Sequence, residues 1–353
     1  MTSRTRRPLP LATAVASLAV VAGVACTAAA ERDPQVHLSG SSTGASGSAG
    51  AGTAASVVTV SIDALNPRAL RVLGRAATPT LHRLIDRGAS TLNARTEREL
   101  TLTLPNHTGM VTGRRVEAST GGHGVTWNDT RTTPATVQAA AGHQVDSVFT
   151  VLDQAGLGSA VFASKPKFSL WQRSWPTAID KLEITKGNGA LVRHVVADLS
   201  NPRAYRFVHL SAPDDAGHEH GFMSRRYLTA VKRTDRRLGR LVAAIDADPA
   251  LRRDTVLVVT ADHGGKGVSH SMPTVFANYR VPFIVRGPGV PAGTDLYDLN
   301  PDYRDPKRAR TTYAGPQPVR NGDVANLVTS LLGLPAVPGS EHDAGQDLDV
   351  YAR

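Results

Sequence analysis

The chain has 353 residues, of which 41% are hydrophobic and 20% charged, and this composition suits a soluble protein with a sizeable core in one large domain or two smaller ones. Its single cysteine excludes an intramolecular disulfide. The net charge of +10 is spread along the chain and not gathered in one tract. We therefore predict no specific nucleic-acid binding, although such a charge suits anionic substrates and equally fits loose contact with nucleic acid or membranes.

Residues 1–30 have the pattern of a signal peptide. A basic start through Arg7 leads into an apolar run from Leu11 to Ala25 and then to small residues before Glu31. The run is too short for a stable membrane span. Arg6 and Arg7 also fit a twin-arginine signal, and Cys26 fits either a lipoprotein attachment site or a small residue of the signal. We expect an exported protein, secreted or attached to the outer face of a bacterial cell membrane, with Cys26 as its candidate lipid anchor.

Residues 31–56 follow as a linker. Gly, Ser and Ala dominate this segment, and such a composition cannot build a packed core. We predict that a single catalytic domain occupies residues 57–353.

Apolar runs of strand length alternate with helical stretches through this domain. The predicted strands are Val57–Ile62, Ala160–Ala163, Arg206–Leu210, Thr255–Thr260 and Pro282–Val285. The predicted helices are Thr78–Arg87, Asp146–Ala155, Arg225–Ile245 and Asn321–Leu332. The alternation predicts an α/β fold with a mostly parallel central sheet and helices on both of its faces.

Three aspartates, Asp63, Asp214 and Asp262, stand just past three of the predicted strands. In open parallel sheets, functional sites collect at the carboxyl ends of the strands. A single aspartate there is more often a turn residue or a helix N-cap, but two of these three are followed by a histidine, His218 and His263. Carboxylate oxygens and imidazole nitrogens together suit zinc, and manganese or iron less specifically. The pattern therefore predicts a metal site.

The segment Thr103-Leu104-Pro105-Asn106-His107 is a second candidate for chemistry. Pro105 can occupy the first turn of a helix, which leaves Thr103 at the positive end of that helix. The helix dipole and a bound metal would both lower the pKa of the threonine hydroxyl. Taken alone, the segment is explained more simply with Thr103 as a helix N-cap.

Together these segments resemble the alkaline phosphatase superfamily, and within it the nucleotide pyrophosphatase/phosphodiesterase (type I phosphodiesterase) branch. Thr-x-Pro-Asn-His at 103–107, Val-Thr-Gly at 111–113 and His-Gly-x-x-x-Asn at 123–128 are similar to the nucleophile region of that branch. The metal-binding blocks of the superfamily are matched, in the same order, by Ser61-Ile62-Asp63, Pro213-Asp214-x-x-Gly217-His218 and Asp262-His263-Gly264. The resemblance runs from about Val57 to Leu334.

The resemblance implies a role for each matching residue. Thr103 is then the nucleophile, which forms a covalent phosphothreonine, and Asn128 donates a hydrogen bond to a non-bridging phosphate oxygen. Two divalent ions, expected to be zinc, complete the site. One ion would be held by Asp63, Asp262, His263 and the oxygen of Thr103, and the other by Asp214 and His218. We interpret His107 and His123 as structural residues around the site.

The family supplies one more histidine to the second ion, and here the sequence departs from the phosphodiesterase pattern, which carries it far downstream after a long insertion. Only His270 and His342 follow His263. His270 precedes the predicted strand Pro282–Val285, an arrangement similar to that of the cofactor-independent phosphoglycerate mutases of the same superfamily. We favour His270, because His342 lies in a C-terminal segment that we expect to be exposed.

The resemblance predicts a phosphoric ester hydrolase that acts on small-molecule phosphate esters or nucleotides, at phosphodiester or nucleotide pyrophosphate bonds. Phosphomonoesterase and phosphonate hydrolase activities remain open, and so does a non-catalytic surface binding protein on the same scaffold. Sulfatase activity is disfavoured, because residues 103–107 lack both the Cys or Ser and the Arg of the sulfatase motif. Lys165, Lys167 and the neighbouring aromatic residues could contact a substrate, but surface packing explains them equally well.

Overall fold

The computed structural model describes residues 54–352. The predicted signal peptide and nearly all of the predicted linker therefore lie outside the described residues. Among the helices between residues 54 and 352, none is long and apolar enough to cross a bilayer.

Eight strands form a single sheet. In chain order they are β1 (Ser56–Ile62), β2 (Ala89–Arg95), β3 (Ser159–Ala163), β4 (Lys181–Ile184), β5 (Tyr205–Leu210), β6 (Thr255–Thr260), β7 (Arg280–Arg286) and β8 (Thr294–Asp295). Their spatial order is β4-β3-β5-β1-β6-β7-β2-β8. All neighbouring strands are parallel except at β7, which runs antiparallel to both β6 and β2. The prediction of a mostly parallel α/β sheet is confirmed.

The helices form two groups around this sheet. In chain order they are α1 (Pro67–Ala77), α2 (Pro79–Asp86), α3 (Thr103–Thr112), α4 (Val137–Ala141), α5 (Val148–Gln154), α6 (Ser169–Ser174), α7 (Asn188–Asp198), α8 (Ala212–His220), α9 (Arg225–Ala247), α10 (Pro249–Asp254), α11 (Phe276–Tyr279), α12 (Leu296–Leu299) and α13 (Val324–Leu331). Short 3₁₀ helices cover Ala118–Thr120, Pro166–Phe168 and Asn321–Asp323. The long helix α9 packs against α1, α2, α7, α8 and α10, whereas α13 packs against α3, α5 and β1.

The core lies at the centre of the sheet. Every residue of β1, β5 and β6 is buried, as expected for parallel strands that are covered on both faces. β1 and β6 each contain three valines, whose branched side chain packs well on a pleated surface. The centre of the sheet is therefore a rigid support for whatever follows its strands.

The register of the central strands positions three loops at one edge. Ser61 of β1 pairs with His209 of β5 on one side and with Thr260 of β6 on the other, so these strands end side by side. Asp63 follows β1, the helix α8 follows β5, and Asp262 follows β6. The polar residues of these three loops consequently meet at the carboxyl edge of the sheet.

Candidate active site

Three buried carboxylates form the base of the site. Asp63, Asp214 and Asp262 are each at most 2% exposed. Each has one buried oxygen without a hydrogen-bond partner among the described residues: Asp63 Oδ1, Asp214 Oδ1 and Asp262 Oδ2. Burying an anionic oxygen without a partner is costly, so these three atoms together form a donor set suited to cations.

The opposite oxygen of each carboxylate is held in place by the protein. Asp63 Oδ2 accepts hydrogen bonds from Lys165 Nζ at 2.6 Å and from His209 Nε2 at 2.9 Å. Asp214 Oδ2 accepts from the same ammonium group at 2.7 Å. Asp262 Oδ1 accepts from the backbone N–H of Ala64 at 3.0 Å. The three carboxylates are thus oriented with their unpartnered oxygens directed away from these donors.

Three imidazole rings make the same kind of hydrogen bond through Nδ1. The Nδ1 atoms of His218, His263 and His270 lie 2.9, 2.9 and 2.6 Å from the carbonyl oxygens of Val268, Gly264 and Thr101. A carbonyl oxygen can only accept, so each Nδ1 carries a proton, and in the neutral ring Nε2 is the nitrogen whose lone pair is available. A backbone carbonyl behind the ring is a common way of fixing the tautomer of a metal-ligating histidine.

The Nε2 atoms lie among the carboxylate oxygens. Those of His218 and His270 are 3.0 Å apart and lie 3.4 and 3.5 Å from Asp214 Oδ1. His263 Nε2 lies 3.1 Å from Asp262 Oδ2 and 3.5 Å from Asp63 Oδ1.

These donor atoms form two overlapping triplets. All atoms of a triplet lie within 4.8 Å of one another, and the triplets are Asp214, His218 and His270, and Asp63, Asp214 and His263. Asp214 belongs to both, whereas Asp262, which the resemblance assigns to one ion, adjoins His263 outside them.

The charge distribution follows from this crowding. Burial and the neighbouring Asp63 carboxylate raise the pKa of Asp262. Burial opposes a charge on His263, yet Asp262, Asp63 and Asp214 together raise the pKa of its imidazole to about 9. Burial and the proximity of His263 lower the pKa of His270 to about 2. Without a cation, the crowded carboxylates therefore favour a protonated His263, whereas His270 stays neutral.

Thr103 is the first residue of α3, and Leu102 is the N-cap. The interpretation of Thr103 as a simple N-cap is therefore wrong. Its hydroxyl is buried and lies 3.4 Å from His263 Nε2. His107, one turn further on, has Nδ1 2.7 Å from the Thr103 carbonyl oxygen and Nε2 2.8 Å from Ser61 Oγ. This contact ties the start of α3 to the end of β1.

Asn128 lies beside the start of the same helix. Its Oδ1 accepts from the backbone N–H of Leu104 at 3.0 Å and from Lys167 Nζ at 2.7 Å. The same ammonium group also donates to the Asn128 carbonyl oxygen at 2.7 Å. The amide Nδ2 has no acceptor within hydrogen-bonding distance in the part of the chain that the structure describes, so it can donate to a ligand near the N-terminus of α3.

The sequence named Lys165 only as a possible substrate contact, and it did not assign His209 to the site. Lys165 connects Asp63 to Asp214, and burial opposes its charge while these two carboxylates raise its pKa. His209 donates to Asp63 and receives a hydrogen bond at Nδ1 from the backbone N–H of Ser164 at 3.3 Å. The only sequence signal for His209 was a histidine in an otherwise buried strand.

The expectation that His342 is exposed is wrong. Its side chain is 4% exposed, and its Nε2 lies 2.9 Å from Glu97 Oε2. It therefore forms a buried ion pair, apart from the carboxylate cluster. His123 is also buried, and its Nδ1 accepts from the Val125 N–H at 3.1 Å.

Residues 57–281 match the family model described as type I phosphodiesterase/nucleotide pyrophosphatase. The chain belongs to this family, and its predicted membership in this branch of the alkaline phosphatase superfamily is confirmed. It is accordingly a phosphoric ester hydrolase. No curated protein gave a significant match to the sequence.

Several solved structures share the fold at low sequence identity. The murine ectonucleotide pyrophosphatase/phosphodiesterase 5, as an inactive variant in complex with AMP, has a TM-score of 0.61 and 15% identity, over 80% of this chain and 96% of that one. The human enzyme of the same name has a TM-score of 0.59 and 15% identity over the same shares. An alkaline phosphatase superfamily protein from Vibrio parahaemolyticus has a TM-score of 0.59 and 14% identity, over 84% and 70% of the two chains.

Proposed function

We propose that this chain hydrolyses phosphodiester or nucleotide pyrophosphate bonds through a covalent phosphothreonine on Thr103, at a site that binds two zinc ions. The observation that carries the proposal is the position of the Thr103 hydroxyl, 3.4 Å from His263 Nε2 at the N-terminus of α3. Three buried carboxylates lie around His263, each with an oxygen that has no hydrogen-bond partner in the described chain.

The donor atoms suit two divalent cations. Asp63, Asp262, His263 and Thr103 would hold one ion, and Asp214, His218 and His270 would hold the other. Zinc is favoured because mixed carboxylate and imidazole ligands suit it, and because Nδ1 of all three imidazoles is bonded to a backbone carbonyl, which leaves Nε2 as the nitrogen for coordination. When bound, the ions would lower the pKa of the threonine hydroxyl and neutralise charge on the phosphoryl group.

The reaction would proceed in two displacements. In the first, a bond forms between Thr103 Oγ1 and phosphorus while the bond to the leaving oxygen breaks, and the hydroxyl proton ends on the departing alcohol or phosphate. In the second, the oxygen of a water molecule bonds to phosphorus, the bond to Thr103 breaks, and a proton returns to the hydroxyl. The products are the two halves of the ester, with one water consumed.

The protein residues would position the phosphoryl group. Asn128 Nδ2 would donate to a non-bridging oxygen, because Lys167 and the Leu104 N–H already occupy its Oδ1. The positive end of the α3 dipole favours an anion at the same place. Lys165 would hold Asp63 and Asp214 at a fixed separation. Such electrostatic positioning is the main contribution of proteins to phosphoryl transfer.

A phosphomonoesterase or phosphonate hydrolase is the second candidate, and the two lysines favour it. Lys165 and Lys167 bring two ammonium groups to the immediate surroundings of the phosphoryl position. A monoester or phosphonate carries a dianionic group, which gains more from added positive charge than the monoanion of a diester. The substrate ratio in the following experiment decides between the two candidates.

Turnover of two chromogenic esters tests the proposal. The purified chain, loaded with zinc, is compared with Thr103→Ala on bis-p-nitrophenyl phosphate and p-nitrophenyl phosphate. We expect turnover that a chelator abolishes and that Thr103→Ala reduces by a factor of about 10³ or more. A preference for the diester supports the main proposal, and a preference for the monoester supports the second candidate. A folded, zinc-replete protein that turns over neither ester would favour the non-catalytic binding protein.

Export is proposed on the strength of residues 1–30 alone, with Cys26 as the candidate lipid anchor. Fractionation of bacterial cells that express the full chain tests this. Export predicts the mature protein outside the cytoplasm, and a lipid anchor predicts that Cys26→Ser releases it from the membrane fraction. Retention of the uncleaved chain in the cytoplasm would contradict export.

A further inference from the structure

A basic pocket lies beside the loop that joins His263 to His270. Its volume is about 640 Å³, within the range of small-molecule sites. Five cationic side chains line it: Arg68, Arg71, Lys266, Arg280 and Arg308. They come from α1, from the loop after β6, from the start of β7 and from the segment after α12. The fold therefore gathers charges that are dispersed along the sequence.

The positive charge of this pocket is not neutralised by the protein. No acidic residue lines the pocket, and within residues 54–352 none of the five cations lies within 4.0 Å of a carboxylate oxygen. Burial and the charges of Arg71 and Arg308 lower the pKa of Arg280. Asp305 acts in the opposite sense on Arg280 but is itself bonded by Asn93 and Lys307. An anionic ligand would relieve this repulsion.

Two of the arginines, Arg280 and Arg308, are held in place before any ligand binds. The guanidinium carbons of Arg280 and Arg308 lie 5.5 and 4.8 Å from the centre of the Phe276 ring, a favourable cation–π distance. Arg280 Nε donates to the Leu92 carbonyl oxygen at 2.7 Å, which leaves its two terminal nitrogens available. Tyr279 donates to the backbone carbonyl of Arg308 at 3.1 Å. A guanidinium group that is already oriented can donate two parallel hydrogen bonds to the oxygens of a phosphate group.

Apart from Asn66 and two glycines, the remaining wall of the pocket is apolar. Phe222, Met223, Val275 and Ala277 contribute to it. A pocket whose lining combines cationic and apolar side chains fits a ligand with a chain of phosphates and a less polar moiety attached.

Phe222 separates this pocket from the carboxylate cluster. A Cβ added to Gly217 or Gly265 would come within 2.1 or 2.4 Å of the Phe222 ring, so the ring is wedged between α8 and the loop after β6. On its other side the ring centre lies 5.6 Å from that of His218 and 6.1 Å from that of His270. The two sites therefore share a wall but do not share a cavity.

We propose that this pocket binds a ligand carrying a polyphosphate group, at a site separate from the phosphoryl-transfer site. The proposal rests on the uncompensated guanidinium groups and the shape of the pocket, and it does not depend on the proposed function of Thr103. A nucleoside triphosphate and an inorganic polyphosphate share the recognised chemistry.

Calorimetric titration of the full chain with sodium tripolyphosphate and with ATP tests the proposal. The zinc-loaded Thr103→Ala variant is used as the background, so that hydrolysis does not complicate the binding signal. Arg71→Gln/Arg308→Gln removes two exposed pocket arginines, and Arg193→Gln/Arg252→Gln removes two exposed arginines elsewhere with the same change in net charge. We expect the pocket pair to weaken the binding of both ligands at least about tenfold, and the control pair to change it less than about twofold.

Comparing the two ligands shows whether the pocket recognises an organic polyphosphate or the phosphate chain alone. ATP that binds more tightly than tripolyphosphate supports an organic ligand whose less polar part lies on Phe222 and Met223. Equal or tighter binding of tripolyphosphate supports recognition of the phosphate chain alone. The proposal is overturned if neither ligand binds saturably up to millimolar concentrations. It is also overturned if both arginine pairs weaken binding equally, because the attraction would then be unspecific.

Discussion

At the scale of single residues, hydrogen-bond direction decides what each imidazole can do. His218, His263 and His270 donate from Nδ1 to backbone carbonyls and present Nε2 to the carboxylates. His209 has the opposite arrangement, because its Nδ1 accepts from Ser164 and its Nε2 donates to Asp63. The same side chain thus serves as a candidate ligand at three positions and as an orienting donor at a fourth.

Replacing His209 should weaken zinc binding without unfolding the protein. His209→Phe retains a ring of similar size beside Phe168 and His107 but removes the hydrogen bond to Asp63. We expect zinc affinity to fall about 10- to 100-fold, the usual effect of losing a residue that orients a ligand. Competition with a chromophoric chelator measures this. His194→Phe, an exposed site on α7, is the control, and equal affinities in both variants would refute the assignment of His209.

Residue identity alone did not reveal Lys165 and His209, because their roles depend on strand register. Parallel pairing places His209 beside Ala163 at the end of β3 and beside Ser61 at the end of β1. His209 is thereby brought to Asp63, and the Lys165 that follows β3 reaches Asp63 and Asp214. The aspartates and histidines assigned by resemblance do lie together, since each follows a strand of the same sheet edge.

At the scale of elements, burial decides which strands the sequence could predict. The strands β1, β3, β5, β6 and β7 are buried and predominantly apolar, and the structure has each within two residues of its predicted start. The strand β2 escaped prediction because Ser90, Thr91, Asn93 and Arg95 interrupt the pattern. The Arg95 side chain of this strand finds its hydrogen-bond acceptors far along the sequence, because it donates to the carbonyl oxygens of Ala309 and Lys307. No local pattern indicates such a partner.

The C-terminal segment is attached beside α3 by a buried ion pair. His342 Nε2 lies 2.9 Å from Glu97 Oε2, which also accepts from the Tyr313 hydroxyl at 2.8 Å. Burial opposes both charges, yet Glu97 raises the pKa of His342 and His342 lowers that of Glu97. The sequence could not indicate this pair, because its two members are 245 positions apart.

This pair predicts a pH-dependent contribution to stability. The pKa of His342 is higher in the folded protein than in the unfolded chain, where it is about 6.5, so protonation of this histidine stabilises the folded state. This contribution is complete below about pH 6.5 and is lost as the pH rises through the pKa of the folded state. The pKa of Glu97 is lowered in the folded protein, so its ionisation stabilises the folded state when the pH is above the unfolded pKa of about 4.3. We therefore expect His342→Gln to cost about 3 kcal/mol near pH 6 and less near pH 9. Denaturant unfolding at both pH values measures this, with His143→Gln as control. If His342→Gln lowered the free energy of unfolding by the same amount at both pH values, the ion pair would be contradicted.

At the scale of the whole molecule, the fold rearranges charge that looks evenly spread in the sequence. The net charge of +10 gives no indication of where cations collect. In three dimensions, two lysines lie at the carboxyl edge of the sheet, and five cations line the pocket behind Phe222. The two lysines contact Asp63, Asp214 and Asn128, whereas the five pocket cations lie beside the loop from His263 to His270. An anionic substrate class is consistent with this distribution.

The most direct test of the whole account is the detection of a phosphoryl group on Thr103. The zinc-loaded chain is mixed with bis-p-nitrophenyl phosphate, quenched in acid within milliseconds, and analysed by intact-mass and peptide mass spectrometry. We predict a transient adduct of one p-nitrophenyl phosphoryl group on the peptide that contains Thr103, absent in Thr103→Ala and still present in Thr103→Ser. Rapid turnover by wild type with no adduct, or unreduced turnover by Thr103→Ala, would contradict the nucleophilic role of Thr103.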